Sequence, residues 1–450
     1  MNSMSPENAK NTLCLVTSIL VLALLILHIE RYRKKPKWLR MFYVWIGVLA
    51  VLGGAWAFLF PLAINADFSK TGDGAALRQT LIYTTGGLLG VITLGETRHK
   101  NDQEHMRQAH SERRSRYATA IEQLADEKAP IRLGGVYTLV KLVDDWLADK
   151  KTLPNEKERR EEGQVIVNSL CAYIRSPFLL AERAGQLDKP YTKDLQKDFG
   201  GDKEKFDADK RAFARDKAAL EEERQVRQSI IEEIHKRLQY FGTLGSWSKL
   251  DYDFSNAHFF YPIDFVYSYF GAFSNFSGAT FTQDADFSKT IFTEGDPFSG
   301  ATFLQDANFS RAAFIRDANF SWARFTKKAN FSWAEFTKKA NFSKARFTKK
   351  ANFSKAKFTE DTDFSGVEFT GDANFSGATF EEKPIFERAL GDKTYKARFS
   401  YKADPEDYNF EVSPDSPYKI ETEEKEYNGA KFIIPKGTEL FDPRRTFRTG

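Results

Sequence analysis

Cysteine is nearly absent from this sequence. The 450 residues include two cysteines, Cys14 in an apolar run and Cys171 in a stretch with helical spacing. Two cysteines in such separate settings form no disulfide framework, and structural disulfides are rare in reducing compartments. The composition therefore excludes the class of disulfide-stapled folds and favours a reducing compartment.

Residues that carry catalysis are also scarce. The sequence has six histidines, and their spacing does not place two of them on one helix face as a metal-binding pair. Glycine-rich phosphate loops, nucleophile elbows and cysteine pairs are missing as well. We therefore predict no catalytic residue, no metal site and no cofactor, so the protein is not expected to be an enzyme. An active site hidden in the helical region is the weakest alternative, because the sequence supplies it with neither nucleophile nor base.

Phenylalanine, in contrast, is abundant, with 41 residues in the chain. From Phe254 to Phe386 it recurs in alternating steps of five and six residues without a slip, so the full repeat is eleven residues long. Alanine stands two residues before most of these phenylalanines. The centre of the run gives ten predicted core residues: Phe309, Phe314, Phe320, Phe325, Phe331, Phe336, Phe342, Phe347, Phe353 and Phe358.

This spacing fits neither a plain strand nor a helix. In a strand, steps of five and six would place successive phenylalanines on different faces. An α-helix would place them on opposite sides, and the run is rich in Gly, Asn, Asp, Ser and Thr, which favour turns. A coil that turns a corner after every phenylalanine sends each Phe and each Ala inward and satisfies both observations.

Units such as Ala329-Asn330-Phe331-Ser332-Trp333 and Ala340-Asn341-Phe342-Ser343-Lys344 resemble the pentapeptide-repeat family. The resemblance implies a right-handed quadrilateral β-helix with four units per coil, here over residues 250–390. An extra residue in every second unit, for example Lys328, Lys339 or Lys350, gives about 22 residues per coil and about six coils. At about 4.8 Å per coil the stack would be roughly 29 Å tall.

Three apolar runs precede the repeats and predict a transmembrane anchor over residues 1–96. The predicted spans are residues 12–29, 41–64 and 79–95, the last being the richest in Thr and Gly. Basic residues cluster between the first two runs and after the third. By the positive-inside tendency, three spans place the N-terminus outside and the remainder of the chain in the cytoplasm. The expected location is a bacterial inner membrane, crossed several times.

Residues 97–245 are predicted to be helical, with a break from Asp126 to Pro130. Arg116-Tyr117-Ala118 and Ile131-Arg132-Leu133-Gly134-Gly135 are similar to a segment of membrane-anchored bacterial pentapeptide-repeat proteins. That resemblance implies a small bundle of HEAT-like helices.

Past the last repeat, residues 391–450 lose the register and become acidic. We interpret this tail as a cap, because a stack of coils exposes an end that must be covered.

Charge is uneven along the repeats, although the whole chain carries a net charge of +4. Residues 311–357 contain thirteen Lys and Arg against Asp317 and Glu335. The predicted patch for an anionic partner comprises Arg324, Lys327, Lys328, Lys338, Lys339, Lys349 and Lys350. A spacing of 22 residues stacks Lys327-Lys328 with Lys349-Lys350 on one corner and puts Lys338-Lys339 on the opposite corner.

Several interpretations of this basic surface stay open. A solvated surface that resists aggregation is the plainest, followed by anionic lipid headgroups, and then by protein or nucleic acid. Family members that protect gyrase mimic DNA with acidic columns, which the basic middle of this column argues against. We predict a membrane-anchored, non-enzymatic scaffold for an unidentified protein partner, and homo-oligomer formation is left open. The alternative is a regulator that binds nucleic acid or anionic lipid through the basic surface.

Overall fold

The computed structural model describes residue 48 and residues 50–56, 73–191, 201–295 and 297–444. The predicted span at 12–29 lies outside these residues, as does most of the span at 41–64. The chain forms two compact units, Met1–Glu112 and Arg113–Gly450.

The described residues up to residue 238 are mainly helical. Residues 50–56 are helical. They are followed by α1 (Asp73–Leu124), α2 (Ala129–Ala148), α3 (Glu156–Arg175), α4 (Ala184–Leu187) and α5 (Lys203–Leu238), with a 3-10 helix at Leu179–Arg183. The predicted break at Asp126–Pro130 is the loop between α1 and α2. The carboxylate of Asp202 caps α5 by accepting from the backbone N–H of Glu204.

A helix that crosses a bilayer must be both long enough and apolar enough. No single one of the described helices meets both conditions, whereas the bent pair Glu156–Arg175 and Leu179–Leu187 meets them together. The predicted third span, 79–95, lies within α1, whose Thr and Gly residues lower its apolarity. The three-span anchor thus stays a prediction, and its third span is not supported by this helix.

The helices of the second unit share one apolar core. Val136, Leu139 and Val143 of α2 and Ile166 and Leu170 of α3 are buried in it. A glycine makes one approach of helices in this core close. A Cβ at Gly135 would lie 2.7 Å from the backbone oxygen of Ala120, so glycine is required there.

The remainder of the chain is built from short strands. In chain order these are β1 (Tyr252–Asp253), β2 (His258–Phe259), β3 (Ile263–Asp264), β4 (Tyr269–Asn275), β5 (Thr280–Phe281), β6 (Ala285–Asp286), β7 (Ile291–Glu294), β8 (Thr302–Phe303), β9 (Ala307–Asn308), β10 (Ala313–Phe314), β11 (Ala318–Asn319), β12 (Arg324–Phe325), β13 (Ala329–Asn330), β14 (Glu335–Phe336), β15 (Ala340–Asn341), β16 (Arg346–Phe347), β17 (Ala351–Asn352), β18 (Lys357–Phe358), β19 (Thr362–Asp363), β20 (Glu368–Phe369), β21 (Ala373–Asn374), β22 (Thr379–Phe380), β23 (Glu387–Leu390), β24 (Lys393–Lys396), β25 (Arg398–Ser400), β26 (Tyr408–Asn409), β27 (Thr422–Tyr427), β28 (Ala430–Pro435) and β29 (Glu439–Phe441). A second 3-10 helix, Pro405–Asp407, precedes β26.

Four parallel sheets form the sides of a column. The first side has the order β2-β5-β8-β12-β16-β20-β25-β29, and the second β26-β21-β17-β13-β9-β6-β3. The third side has the order β1-β4-β7-β10-β14-β18-β22, and the fourth β11-β15-β19. The chain visits the four sides in turn, as β12, β13, β14 and β15 show, before β16 returns to the first. Ala329 pairs with Ala351 and Phe325 with Phe347, so the 22-residue coil and the quadrilateral solenoid are confirmed.

Phenylalanine rings fill the column. Phe331 is fully buried, and its ring centroid lies 5.0 Å from that of Phe309 below and 5.0 Å from that of Phe353 above, with nearly parallel planes. Phe342 meets it edge to face at 5.4 Å. Aromatic rings have a negative face and a positive edge, so stacked and edge-to-face pairs are both favourable. All ten predicted core phenylalanines are buried in this way.

The C-terminal tail continues the column. Phe399 stacks on Phe369 at 5.1 Å and Phe410 on Phe375 at 5.7 Å, although the chain between them no longer follows the repeat. Two antiparallel hairpins interrupt the coils of the tail: β23–β24 precedes Phe399, and β27–β28 follows Phe410. The helical region covers the other end, where Phe178, just before the 3-10 helix, stacks on Phe260 at 5.6 Å and His235 Nε2 of α5 lies 2.9 Å from the oxygen of Val266.

Candidate functional site

Two of the four corners of the column are tight turns with a left-handed residue. In each, the N–H of an alanine bonds to the carbonyl of the phenylalanine three residues earlier, as from Ala323 to Phe320 at 3.1 Å. The third residue of the turn has positive φ, the pattern of a type II turn, which favours Gly or Asn. Glycine stands at 278, 300, 366 and 377, but larger residues stand at Tyr267, Lys289, Arg311, Trp322, Trp333, Lys344 and Lys355.

The two tryptophans at these corners are exposed and lie beside cations. Trp322 (φ 61°) and Trp333 (φ 59°) keep 59% and 51% of their surface in contact with solvent. The ammonium of Lys344, one coil above, lies 4.7 Å from the centroid of Trp322, and that of Lys355 lies 4.6 Å from Trp333. Each contact is a cation–π interaction. Each of the two corners therefore holds one exposed tryptophan with a lysine of the next coil against its ring.

The corner between the first and second sides carries the paired lysines. Lys327 and Lys328 stand there in one coil, and Lys349 and Lys350 occupy the same place in the next, because β13 pairs with β17 in register. All four side chains are exposed. Lys327, Lys328 and Lys349 have no carboxylate within ion-pair distance among the described residues, whereas Lys350 Nζ is 3.9 Å from Asp372.

Arginines on the first side extend this charge. Arg324 is exposed and lies in register with Arg346 of the next coil. Arg346 Nε is held 2.6 Å from the carboxylate of Glu368, which also binds Arg398 at 3.1 Å. Arg324 has no such carboxylate in the described structure, so it is the less neutralised of the two guanidinium groups.

The opposite corner is different. There Lys338 Nζ forms an ion pair with Glu360 at 2.5 Å, and Lys339 lies near Glu382. One coil below, Arg316 Nε is 3.6 Å from Glu294. Lys338 and Lys339 thus belong to a mixed, neutralised surface. The structure does not bring them together with the other five residues of the predicted patch, which lie on the first side and its corner.

Once Lys338 and Lys339 are set aside, the remaining cations form one continuous basic surface, which we call the basic band. It comprises residues 318–333 and 340–355, which contain eight Lys and Arg and no Asp or Glu. Its eight cations lie on the first side and on the corners that border the first and second sides, in two adjacent coils. Asp306 lies in the coil below it, and Glu368 and Asp372 lie in the coil above it.

Ionisable groups of the helical region form a buried network of hydrogen bonds. Tyr173 donates to Glu223 at 2.9 Å and Arg227 bonds to Glu223 at 2.7 Å, in a network that ties α3 to α5. Burial raises the pKa of Tyr173, and it raises the pKa of the Cys171 thiol to about 12. Among the residues that the structure describes, no three His, Cys, Asp or Glu side chains are grouped to hold a metal ion.

Sequence reasoning found the lysines but missed the tryptophans as surface residues. The signal was present for Trp322, because it falls one coil above Gly300 at the same turn position, whereas Trp333 lies between Arg311 and Lys355. A large aromatic residue where the turn favours glycine is a departure that packing inside the column does not explain.

A closed, phenylalanine-filled parallel solenoid with four sides is a β-helical repeat protein. The family model described as "Pentapeptide repeats (9 copies)" matches residues 298–346 and 342–389, within the column. This β-helix therefore belongs to the pentapeptide-repeat family, as its sequence units indicated. No curated protein and no solved structure gives a match. The helices that precede the column lie outside both matched ranges.

Proposed function

We propose that the chain is a membrane-anchored, non-enzymatic interaction scaffold whose β-helix is presented in the cytoplasm and binds an anionic ligand through the basic band. The observation that carries the proposal is the band itself, whose residues in two adjacent coils include eight cations and no carboxylate. Like charges stacked on adjacent strands are mutually unfavourable. An anionic ligand would relieve that repulsion.

Sequence features support the membrane attachment. The apolar runs at 12–29 and 41–64 are long enough to span a bilayer, and basic residues cluster beside them. Extraction of native membranes with alkaline carbonate tests this part. The full chain should stay in the membrane pellet, and its C-terminus should be protected from protease in right-side-out vesicles. Release into the supernatant would contradict the anchor.

The scaffold role is tested by crosslinking the full chain in native membranes. Wild type is compared with Lys327→Gln/Lys328→Gln and with Lys338→Gln/Lys339→Gln. Both pairs occupy the same motif, Phe-Thr-Lys-Lys-Ala, on opposite corners, so they match in charge and local sequence. We expect the first pair to lose crosslinked products that the second pair retains. Identical products from both variants would show that the band does not bind the partner.

A further inference from the structure

The width of the basic band restricts what it can bind. Two coils at about 4.8 Å each make it roughly 10 Å wide along the column axis, while it extends around two sides and the corner between them. A flat bilayer laid against the first side would also meet Glu368 and Asp372 above the band and Asp306 below it. The surface therefore fits a narrow, linear polyanion that crosses the column and bends over the corner.

The tryptophans indicate what kind of polyanion. Trp322 stands at one border of the band and Trp333 at the other, eleven residues apart. Both hold the left-handed conformation, which disfavours residues with a Cβ, and both leave more than half of their surface exposed. One coil below Trp322 the equivalent residue is Gly300, which has no side chain to cover that ring face. One coil below Trp333 it is Arg311, whose guanidinium carbon lies 6.0 Å from the Trp333 centroid, so Trp322 has the more open ring face.

Single-stranded nucleic acid matches this combination. Proteins that bind it without sequence preference join a positive path for the backbone to aromatic rings on which bases stack. An acidic peptide would use the cations but has no bases to stack on two exposed tryptophans. Duplex nucleic acid likewise keeps its bases stacked on one another.

We infer that the basic band binds single-stranded nucleic acid, with Arg324, Lys327, Lys328, Lys349 and Lys350 contacting phosphates and with Trp322 and Trp333 stacking on bases. This inference rests on the proposed function, since it names the ligand of the same surface.

The test is fluorescence anisotropy of a labelled single-stranded oligonucleotide of about 20 nucleotides, as RNA and as DNA. The full chain is used in mild detergent at salt concentrations from about 50 to about 200 mM, over which binding to phosphates weakens steeply. Replacing Lys327, Lys328, Lys349 and Lys350 by Gln should weaken binding and reduce the salt slope by about 0.7 for each phosphate that is no longer neutralised. Lys338→Gln/Lys339→Gln is the matched control and should retain both the affinity and the slope.

The stacking part is tested with Trp322→Gly/Trp333→Gly. Glycine is the residue that the same turn takes at 278, 300, 366 and 377, so this variant should fold, which circular dichroism and thermal melting would verify. Without stacking, binding should weaken roughly tenfold or more, while the salt slope stays unchanged, because stacking on a ring neutralises no phosphate.

Several outcomes would overturn the inference. Equal weakening in both lysine variants would show non-specific attraction, and unchanged affinity of the folded tryptophan variant would remove the stacking. Equal binding of duplex, or binding only of a poly-glutamate peptide or of vesicles with anionic lipid, would assign the band to another ligand. If the band variants lose crosslinked products but no oligonucleotide binds, the inference alone fails. If the oligonucleotide binds and carbonate extracts the chain, the membrane anchor alone fails.

Discussion

At the scale of single residues, the column depends on the fit of each phenylalanine ring. Successive rings on one side lie about one coil apart and nearly parallel, as Phe320 and Phe342 do at 5.0 Å. Alanines such as Ala334 fill the remaining space and are fully buried. Because protein interiors are packed as densely as organic crystals, removing one ring leaves a void that its neighbours cannot close.

Phe331→Ala should destabilise the protein by about 3–5 kcal/mol, since it removes a fully buried ring that is stacked between Phe309 and Phe353. Chemical denaturation followed by circular dichroism measures the change, and Lys339→Ala on the exposed surface is the control. A destabilisation no larger than that of the control would contradict the packed column.

The residue scale also shows where sequence reasoning stops. The spacing of phenylalanine is a property of the chain alone, so it predicted the core and the coil length. The role of Trp322 could not be read in the same way. Whether its ring is buried or exposed depends on Lys344 and Gly300, which approach it only when the coils stack.

At the scale of the strand, each two-residue segment is too short to be stable alone. It depends on the backbone hydrogen bonds that join it to the strands of the neighbouring coils. Side chains add a second ladder on the second side. Asn330 Nδ2 donates to Asn308 Oδ1 at 3.2 Å, and Asn352 Nδ2 donates to Asn330 Oδ1 at 3.1 Å. The same Oδ1 accepts the backbone N–H of Ser332 at 3.1 Å. This amide therefore links three coils and fixes the following turn.

Replacing Asn330 by Ala should cost about 1–3 kcal/mol, because it removes these hydrogen bonds and leaves partners without them. Equilibrium unfolding in urea provides the measurement. Ser332→Ala keeps the backbone N–H and serves as the control. If both variants unfold at the same denaturant concentration, the amide ladder contributes nothing to stability.

At the helical elements, Asp149 joins the end of α2 to α1. Its carboxylate accepts from Arg113 at 2.6 Å and from the backbone N–H of Thr152 at 2.9 Å, and the Thr152 hydroxyl also donates to it. Burial favours the protonated form, but the bonds from Thr152 and Arg113 outweigh it and lower the pKa of Asp149 from 3.8 to about 2. The depressed pKa means that the charged form stabilises the fold.

Asp149→Asn should lower stability by about 1–3 kcal/mol at neutral pH. The stabilisation is fully present above pH 3.8 and is lost as the pH falls through about 2. The difference in melting temperature between wild type and variant should accordingly narrow over that range. A difference that stays constant down to pH 2 would exclude the charged carboxylate as its source.

At the scale of the whole second unit, both ends of the column are covered, by helical residues at one end and by the tail at the other. The tail was expected to be a cap outside the register. It covers that end, and it also contributes β25, β26 and β29 to two of the sides. The repeat spacing could not predict these three strands, because hairpins of irregular length separate them. Their position is set by pairing with the preceding strands of the same sheets.

Deleting residues 391–450 should expose Phe369 and Phe375 together with unpaired strand edges, which are templates for pairing with another chain. We expect self-association of the shortened chain that grows with concentration, measured by sedimentation against the full-length protein. Sedimentation identical to that of the full chain would show that the tail is not needed as a cover.

The column has two periods: inward phenylalanines repeat their spacing every eleven residues, and the coil closes every 22 residues. These periods determine which insertions and deletions the column can accept. Inserting or removing 22 residues adds or subtracts one coil and leaves every other side chain facing as before. Removing eleven residues also preserves the inward phenylalanines, yet it rotates all later coils by half a turn. A single half-coil deletion inside the band would therefore move Lys349-Lys350 to the far side from Lys327-Lys328, splitting one binding surface into two without disturbing the fold.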